Sequence, residues 1–314
     1  MSKVIVSGSI AYDRIMDYPG LFADNFIPDK VHSINLSFKV NRLSVEFGGT
    51  AGNVAYSLAL LGEQPEIVST VGADFSQYRS HMLLSGIDPR TIRELEGELT
   101  SSAFILTDKA DNQIAAFHFG AGAHAYDTPV ETDGRVLAIV SAGCEADMMA
   151  LPAYYRRRGM QYLYDPGQAI PALSGEALKD AITGAQVLFA SDYELSLILQ
   201  KVGLDERQLL DLVPTIVVTF AGEGSQVLGR DGIIKITPTP AKNVLDPTGA
   251  GDAYRAGFIK GMFFGLSLQS CGQLASCVAA YAVETYGTQT HKFALQELAD
   301  RYTSVYGEKL PLQA

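Results

Sequence analysis

The sequence predicts an α/β fold: a mostly parallel sheet covered by helices on both faces, with a small β-sheet lid over one edge. Three observations predict it. Short β-branched runs alternate with amphipathic stretches of helical period, two stretches break that alternation, and from Ala250 onward the pattern is helical only. Of 314 residues, 47% are hydrophobic and 19% charged, so the chain can bury a sizeable core. Its length fits one main domain, residues 1–314, with a small appendage.

In chain order, strands are expected at residues 4–8, 67–71, 136–140, 162–164, 187–189 and 216–220, short apolar runs that read as buried. Helices are expected at 51–61, at 78–84 closed by Gly86, at 145–158 interrupted by Pro152, and at 192–201 closed by Gly203. The two breaks, residues 21–47 and 101–119, suit an antiparallel piece. The second holds an Asp-Asn turn at Asp111 and Asn112 between strand-like runs. Together they predict a lid formed by insertions at about 12–47 and 99–121. The last helices are expected at 253–265, 268–286 and 295–306.

Lys and Arg number 24 against 35 Asp and Glu, a net charge of −11 that repels phosphate backbones and anionic membranes. No nucleic-acid partner and no membrane partner are expected. Backbone amides or a metal can still build a local anion site. Cys144, Cys271 and Cys277 form no CxxC or zinc-finger spacing, and an odd count suits a reducing compartment. The start, MSKVIVSGSIAYDR, has no signal-peptide-like apolar region, and no apolar run reaches about 18 residues. A cytoplasmic location is expected.

The segment DPTGAGDAYRAGF, residues 246–258, leads through Gly249, Ala250 and Gly251 into an apolar helix, so backbone N–H groups and the helix N-terminus converge on one spot. That suits a phosphoryl group. Asp252 beside it suits a base that takes a proton from an attacking hydroxyl; a plain glycine turn with Asp252 in the first helical turn fits equally. No GxxxxGK[ST] occurs, and Tyr254 stands where a dinucleotide fingerprint needs glycine or alanine. The second glycine-rich element, FGGTAGN, puts Gly48, Gly49, Gly52 and Asn53 at a helix start, where Asn53 can donate to and accept from neighbouring hydroxyls. A tight junction between lid and helix is the alternative.

These two elements together resemble the paired signatures of the PfkB, or ribokinase-like, family of sugar and nucleoside kinases, over nearly the whole chain. GSIAYD, DNQIAAFH, YDPGQ and YGTQTH also have counterparts, most like the family's bacterial nucleoside and adenosine kinase branch. The resemblance implies a three-layer α/β/α ribokinase-like domain with a lid, and transfer of the ATP γ-phosphoryl group to a primary hydroxyl. It implies Asp252 as the catalytic base, Gly249, Ala250 and Gly251 as the anion hole, and Asp13, Gly48, Gly49 and Asn53 as acceptor contacts. In VVTFAGEGS, Thr219 and Gly222 are implied as ATP contacts, together with Gly249 and Gly251. Mg²⁺ is implied, held through water by Glu194, and so is K⁺ beside Asp246, Thr248 and Gly287.

One departure matters. SDYE, residues 191–194, stands where the family usually has NxxE, and Ser191 with Glu194 also makes a helix capping box; both roles can hold together. Arg255, one turn past Asp252, could reach a phosphate or lie solvated on its helix. Phe117 and His118 could face a base or belong to the lid core. His32, His81, His124 and His291 show no metal-ligand spacing, and Cys271 and Cys277 read as core.

Ribokinase-type members carry a lysine inside the first glycine element, where this chain has Thr50. With Gln113 and Phe117 placed to bond and stack on a purine, this favours a nucleoside acceptor, adenosine first. The alternatives are a ribose- or fructose-type sugar kinase and a catalytically silent nucleoside sensor, which would need no base such as Asp252. An exposed edge of the lid could pair with its copy in a homodimer.

Overall fold

β1 (Ser2–Ser7) sets the pattern of the core: Val4 and Val6 enter one buried cluster and Ile5 enters another. Successive side chains leave a strand on opposite faces, so a strand that is apolar throughout has to be covered on both. The computed structural model of the protein describes residues 2–26, 35–110, 112–128, 130 and 135–310. His32 and Asp111 lie outside the described residues.

After β1 the chain runs outward as β2 (Ala11–Asp17), returns as β3 (Arg42–Gly48) and enters α1 (Thr50–Leu60). β4 (Glu66–Val68), β5 (Thr70–Gly72), α2 (Ser76–Leu84) and β6 (Arg93–Leu95) follow. A second excursion goes out as β7 (Ser101–Thr107) and back as β8 (Gln113–His118). Alternation then resumes with β9 (Arg135–Ser141), α3 (Glu145–Arg157), β10 (Gln161–Asp165), α4 (Gly175–Ile182), β11 (Val187–Ser191), α5 (Asp192–Val202), α6 (Glu206–Leu209) and β12 (Thr215–Thr219). A hairpin, β13 (Ser225–Gly229) and β14 (Gly232–Ile236), leads to α7 (Ala250–Phe263), α8 (Leu268–Ala282) and α9 (Leu295–Tyr306).

The larger sheet has the order β14-β13-β12-β11-β10-β9-β1-β4, parallel from β4 to β12, with the antiparallel hairpin at one edge. Residues of α1, α2, α7, α8 and α9 share the Val4 cluster, while those of α3 to α6 share the Ile5 cluster. Cys271 and Cys277 are buried in the first of these. No helix among the described residues is long and apolar enough to cross a membrane.

Four expectations are corrected. The lid sheet, ordered β3-β2-β7-β8, is mixed and not antiparallel, because β2 and β7 both run outward and lie side by side. Residues 67–71 are two strands: the Ser69 carbonyl accepts the Arg93 N–H at 3.0 Å, which turns the chain from β1 toward β6. Pro152 does not interrupt α3. A proline inside a helix costs about 3 kcal/mol, and burial of Met148, Leu151, Pro152 and Tyr155 along one stripe offsets it. α8 stops at Ala282 and not at 286, and the next carbonyl, that of Val283, accepts the N–H groups of Leu245 and Asp246 at 2.8 and 3.3 Å.

Candidate active site

The parallel strands end at Ser7, Asp165, Ser191 and Thr219 along one side of the sheet, the usual place for a ligand crevice in such folds. The N-terminus of α7 bears Asp252 in its first turn, and Gly249 caps that turn at φ 77°, a left-handed conformation that favours glycine. Ala250 N–H closes the turn on the Pro247 carbonyl at 3.2 Å. The N–H groups of Gly249 and Gly251 have no hydrogen-bond partner among the described residues, so of the three expected donors these two are available to a ligand.

Asp252 Oδ2 accepts a hydrogen bond from Asn53 Nδ2 at 2.8 Å, which joins the two glycine-rich elements across 199 positions of sequence. Burial pushes the Asp252 carboxyl up to about 7, and the charges of Asp165 and Glu194 push the same way against Asn53 and Arg255. A carboxylate balanced near neutrality is suited to take a proton.

Asp13 lies on the lid strand β2, and a Cβ at Gly48 would come within 2.5 Å of its Oδ2. Burial, with Glu46 and Asp246 nearby, raises its carboxyl to about 6. Strand pairing sets Glu46, Asp13, Ala103 and Phe117 in one cross-strand row, so Phe117 shares the lid face of Asp13. Gln113 is on the same face but four residues away along β8, roughly 13 Å at the usual strand rise. Gly49 caps α1 at φ 89°. Thr50 donates to the Ala142 carbonyl at 2.6 Å, so its side chain ties α1 to the end of β9.

On the ATP side, Ser191 and Thr219 are paired residues at the ends of β11 and β12, and Gly222 sits in the single turn Ala221–Glu223 that follows. Ser191 and Glu194 form the capping box: Glu194 Oε2 accepts the Ser191 N–H at 2.7 Å. Its Oε1 has no hydrogen-bond partner among the described residues, a hard oxygen donor of the kind that holds Mg²⁺ through water. No group of three or more His, Cys, Asp or Glu placed to hold a metal occurs among the described residues. Asp246 accepts the N–H groups of Thr248 at 2.9 Å and Gly287 at 3.0 Å, bringing the three residues together. Burial raises its carboxyl, but these bonds outweigh burial and hold it below the ordinary value.

Arg255 is a correction. It is 6% exposed and not solvated: its Nε and Nη2 donate to both oxygens of Asp165 at 3.0 and 3.1 Å, its Nη1 donates to the Gly251 carbonyl at 3.3 Å, and its guanidinium lies 5.3 Å from the centre of the Phe189 ring. The signal was present, since DPGQ ends an apolar strand in an aspartate and AYRAGF sets an arginine among residues that pack. Gln289 was passed over too. Its amide donates to Asn53 Oδ1 at 2.9 Å and to the Tyr78 hydroxyl at 2.6 Å, behind the Asn53–Asp252 contact.

Known proteins resemble the chain over nearly its whole length. The pfkB family carbohydrate kinase model matches residues 1–293. A nucleoside kinase of Methanothermobacter thermautotrophicus is 34% identical over 289 residues, covering 90% of this chain and 93% of the relative. The solved structure of Burkholderia thailandensis nucleoside kinase in complex with inosine has a TM-score of 0.87 at 33% identity and covers 98% of each chain. The nucleoside kinase of Methanocaldococcus jannaschii, an archaeal member of the ribokinase family, has a TM-score of 0.87 at 28% identity, covering 97% of this chain and 99% of its own. A family model spanning nearly all of the sequence, and relatives that share its fold end to end, establish that the chain belongs to the pfkB family of carbohydrate kinases.

Proposed function

We propose that the protein transfers the γ-phosphoryl group of ATP to the 5′-hydroxyl of a nucleoside, with adenosine as the first acceptor and inosine, guanosine and cytidine as further ones. The observation that carries this reading is the placing of Asp252, bonded to Asn53 in the first turn of α7, together with a lid row that bears Asp13 and Phe117. Burial raises the Tyr78 phenol, and both carboxylates lie close enough to push it the same way. The inosine-bound relative, and relatives named nucleoside kinases, support a nucleoside over a free sugar.

In this reading the acceptor hydroxyl gives its proton to Asp252 Oδ1, since Oδ2 is held by Asn53. The bond from its oxygen to the γ-phosphorus forms as the bond to ADP breaks, and the Gly249 and Gly251 N–H groups meet the charge that builds on the transferring group. Glu194 would hold Mg²⁺ through water, and the ion would supply positive charge to the phosphate oxygens. K⁺ at Asp246, Thr248 and Gly287 and ATP contacts at Thr219 and Gly222 belong to the same reading, as does a cytoplasmic setting. Asp13 holds the sugar hydroxyls and Phe117 covers the base, while Gln113, further along the lid, contacts only a larger ligand or a lid that closes.

Turnover with Mg·ATP against adenosine, inosine, guanosine, cytidine, ribose and fructose tests this. Phosphorylation of nucleosides supports the reading, and turnover of free sugars alone, or binding without turnover, overturns it. Asp13→Ala is expected to raise the acceptor KM by at least about tenfold, the worth of one charged hydrogen bond, with a smaller change in kcat; an unchanged acceptor KM removes Asp13 from the acceptor site.

We also infer a homodimer through the lid. The lid face opposite Asp13 carries Leu43, Met16, Leu106 and Ile114 in one row and Val45, Arg14, Phe104 and Ala116 in the next. Leu43, Val45, Phe104 and Ile114 are exposed, and a second copy of the same face is the occupant that would cover them. Sedimentation should show a dimer that Leu43→Lys with Ile114→Lys converts to monomer; a monomeric wild type excludes the arrangement.

A further inference from the structure

A buried carboxylate that is to receive a proton must first be ionised, which a donating neighbour favours and an accepting one opposes, and an asparagine amide can present either end. Something has to set the direction of Asn53. The hydrogen bonds behind it do so in sequence. Tyr78 Oη lies 2.7 Å from the Gly48 carbonyl, which can only accept, so the single phenol proton points there. Tyr78 therefore accepts from Gln289, and the Gln289 atom facing it, at 2.6 Å, has to be Nε2. That same nitrogen reaches Asn53 at 2.9 Å, so the Asn53 atom turned toward Gln289 is Oδ1 and the one turned toward Asp252 is Nδ2. Gln289 Oε1 is left for His81 Nε2 at 3.0 Å, and His81 donates to it. The His81 ring is stacked at 4.2 Å on Phe47, the residue before Gly48.

The chain makes room for this arrangement. A Cβ at position 52 would collide with the Tyr78 hydroxyl and come within 2.9 Å of Gln289 Nε2, so Gly52 is required by the network and not by its helix. Asn53, Tyr78 and Gln289 are buried, where an amide that pointed the wrong way would set its carbonyl against a carboxylate.

We propose that Gln289 is a positioning residue for phosphoryl transfer: it locks the Asn53 amide with its NH₂ toward Asp252 Oδ2, in a direction set by the Gly48 carbonyl of the acceptor loop. The proposal rests on the reading of Asp252 as the base. It gives the acceptor loop and the base one shared hydrogen-bond polarity, so a displaced Gly48 is felt at Asp252 through Tyr78, Gln289 and Asn53.

Gln289→Met keeps the shape and removes both donors. The expected result is a fall in kcat of about 10- to 100-fold, the size of one hydrogen bond to a charged group, with the acceptor KM changed by less than about threefold. The acid limb of kcat should also move to higher pH, because the Asn53 donor stabilises ionised Asp252. The other charges facing Asp252 are Asp165 from β10, Glu194 from α5 and Arg255 from α7, and none of them is altered. Tyr78→Phe, which removes only the hydroxyl that orients Gln289, should shift the limb in the same direction and serves if Gln289→Met fails to fold. Wild-type kcat in the folded variant, or a lower kcat with an unmoved acid limb, overturns the proposal. Asp252→Asn run in parallel separates the two readings: turnover retained there overturns the base assignment and this proposal together, whereas turnover lost there but normal in Gln289→Met overturns this proposal alone.

Discussion

Asp252→Asn is expected to abolish most turnover and at the same time stabilise the fold. The chemical rate should drop by about 10²- to 10⁴-fold, the range for losing a general base, while nucleoside binding by calorimetry stays near wild type. The gain in stability follows from the same carboxyl. Its value of about 7 lies well above the ordinary 3.8, so the folded state holds this proton more tightly than the unfolded chain does. Wild-type stability therefore declines as pH rises between those two values, and the deficit is complete above about pH 7. About three units correspond to at most ~4 kcal/mol. Urea titrations at pH 8 and pH 4 should show the variant ahead only at the higher pH; equal stability at both would mean that the carboxyl is not strained by the fold.

Arg255→Met should be the most damaging single change to stability. Both members of the Arg255–Asp165 pair are nearly inaccessible, and the arginine meets both carboxylate oxygens. Removing one partner from such a pair costs about 3–5 kcal/mol, because the other charge stays buried and unpaired. The variant should recover as pH falls and Asp165 takes up a proton, and Arg255→Met combined with Asp165→Leu should regain much of the loss. Activity reports the same contact differently. Arg255 helps hold Asp252 ionised, so its removal should move the acid limb of kcat upward. A variant as stable as wild type would show that the pair is energetically idle.

The parallel strands of the larger sheet, though not its hairpin β13–β14, and the two glycine-rich elements were legible because each depends on local chemistry: a continuous apolar run, or a glycine where the backbone turns left-handed. What was not legible depended on partners distant in sequence. Nothing near Pro152 tells that Met148 and Tyr155 will be packed firmly enough to carry a helix through it. Nothing near residue 283 tells that its carbonyl will be claimed by Leu245 and Asp246. Arg255 was misjudged although DPGQ and AYRAGF each signal a packed charged residue, because nothing local pairs it with Asp165, 90 positions earlier. In Gly48 to Asn53 the motif was visible, yet the need for glycine at 52 emerges only when Tyr78 and Gln289 arrive beside it.

The placing of β2 and β7 at the centre of the lid has a mechanical consequence. Each excursion crosses between core and lid once on the way out and once on the way back, and the two outward strands are bonded to each other along residues 11–17 and 101–107. A sheet knitted from two distant pieces of chain cannot swing on one tether. Any closing movement has to turn all four crossings together, as a door turns on several hinges along one line, and a stiffening substitution at any one crossing would slow the whole lid.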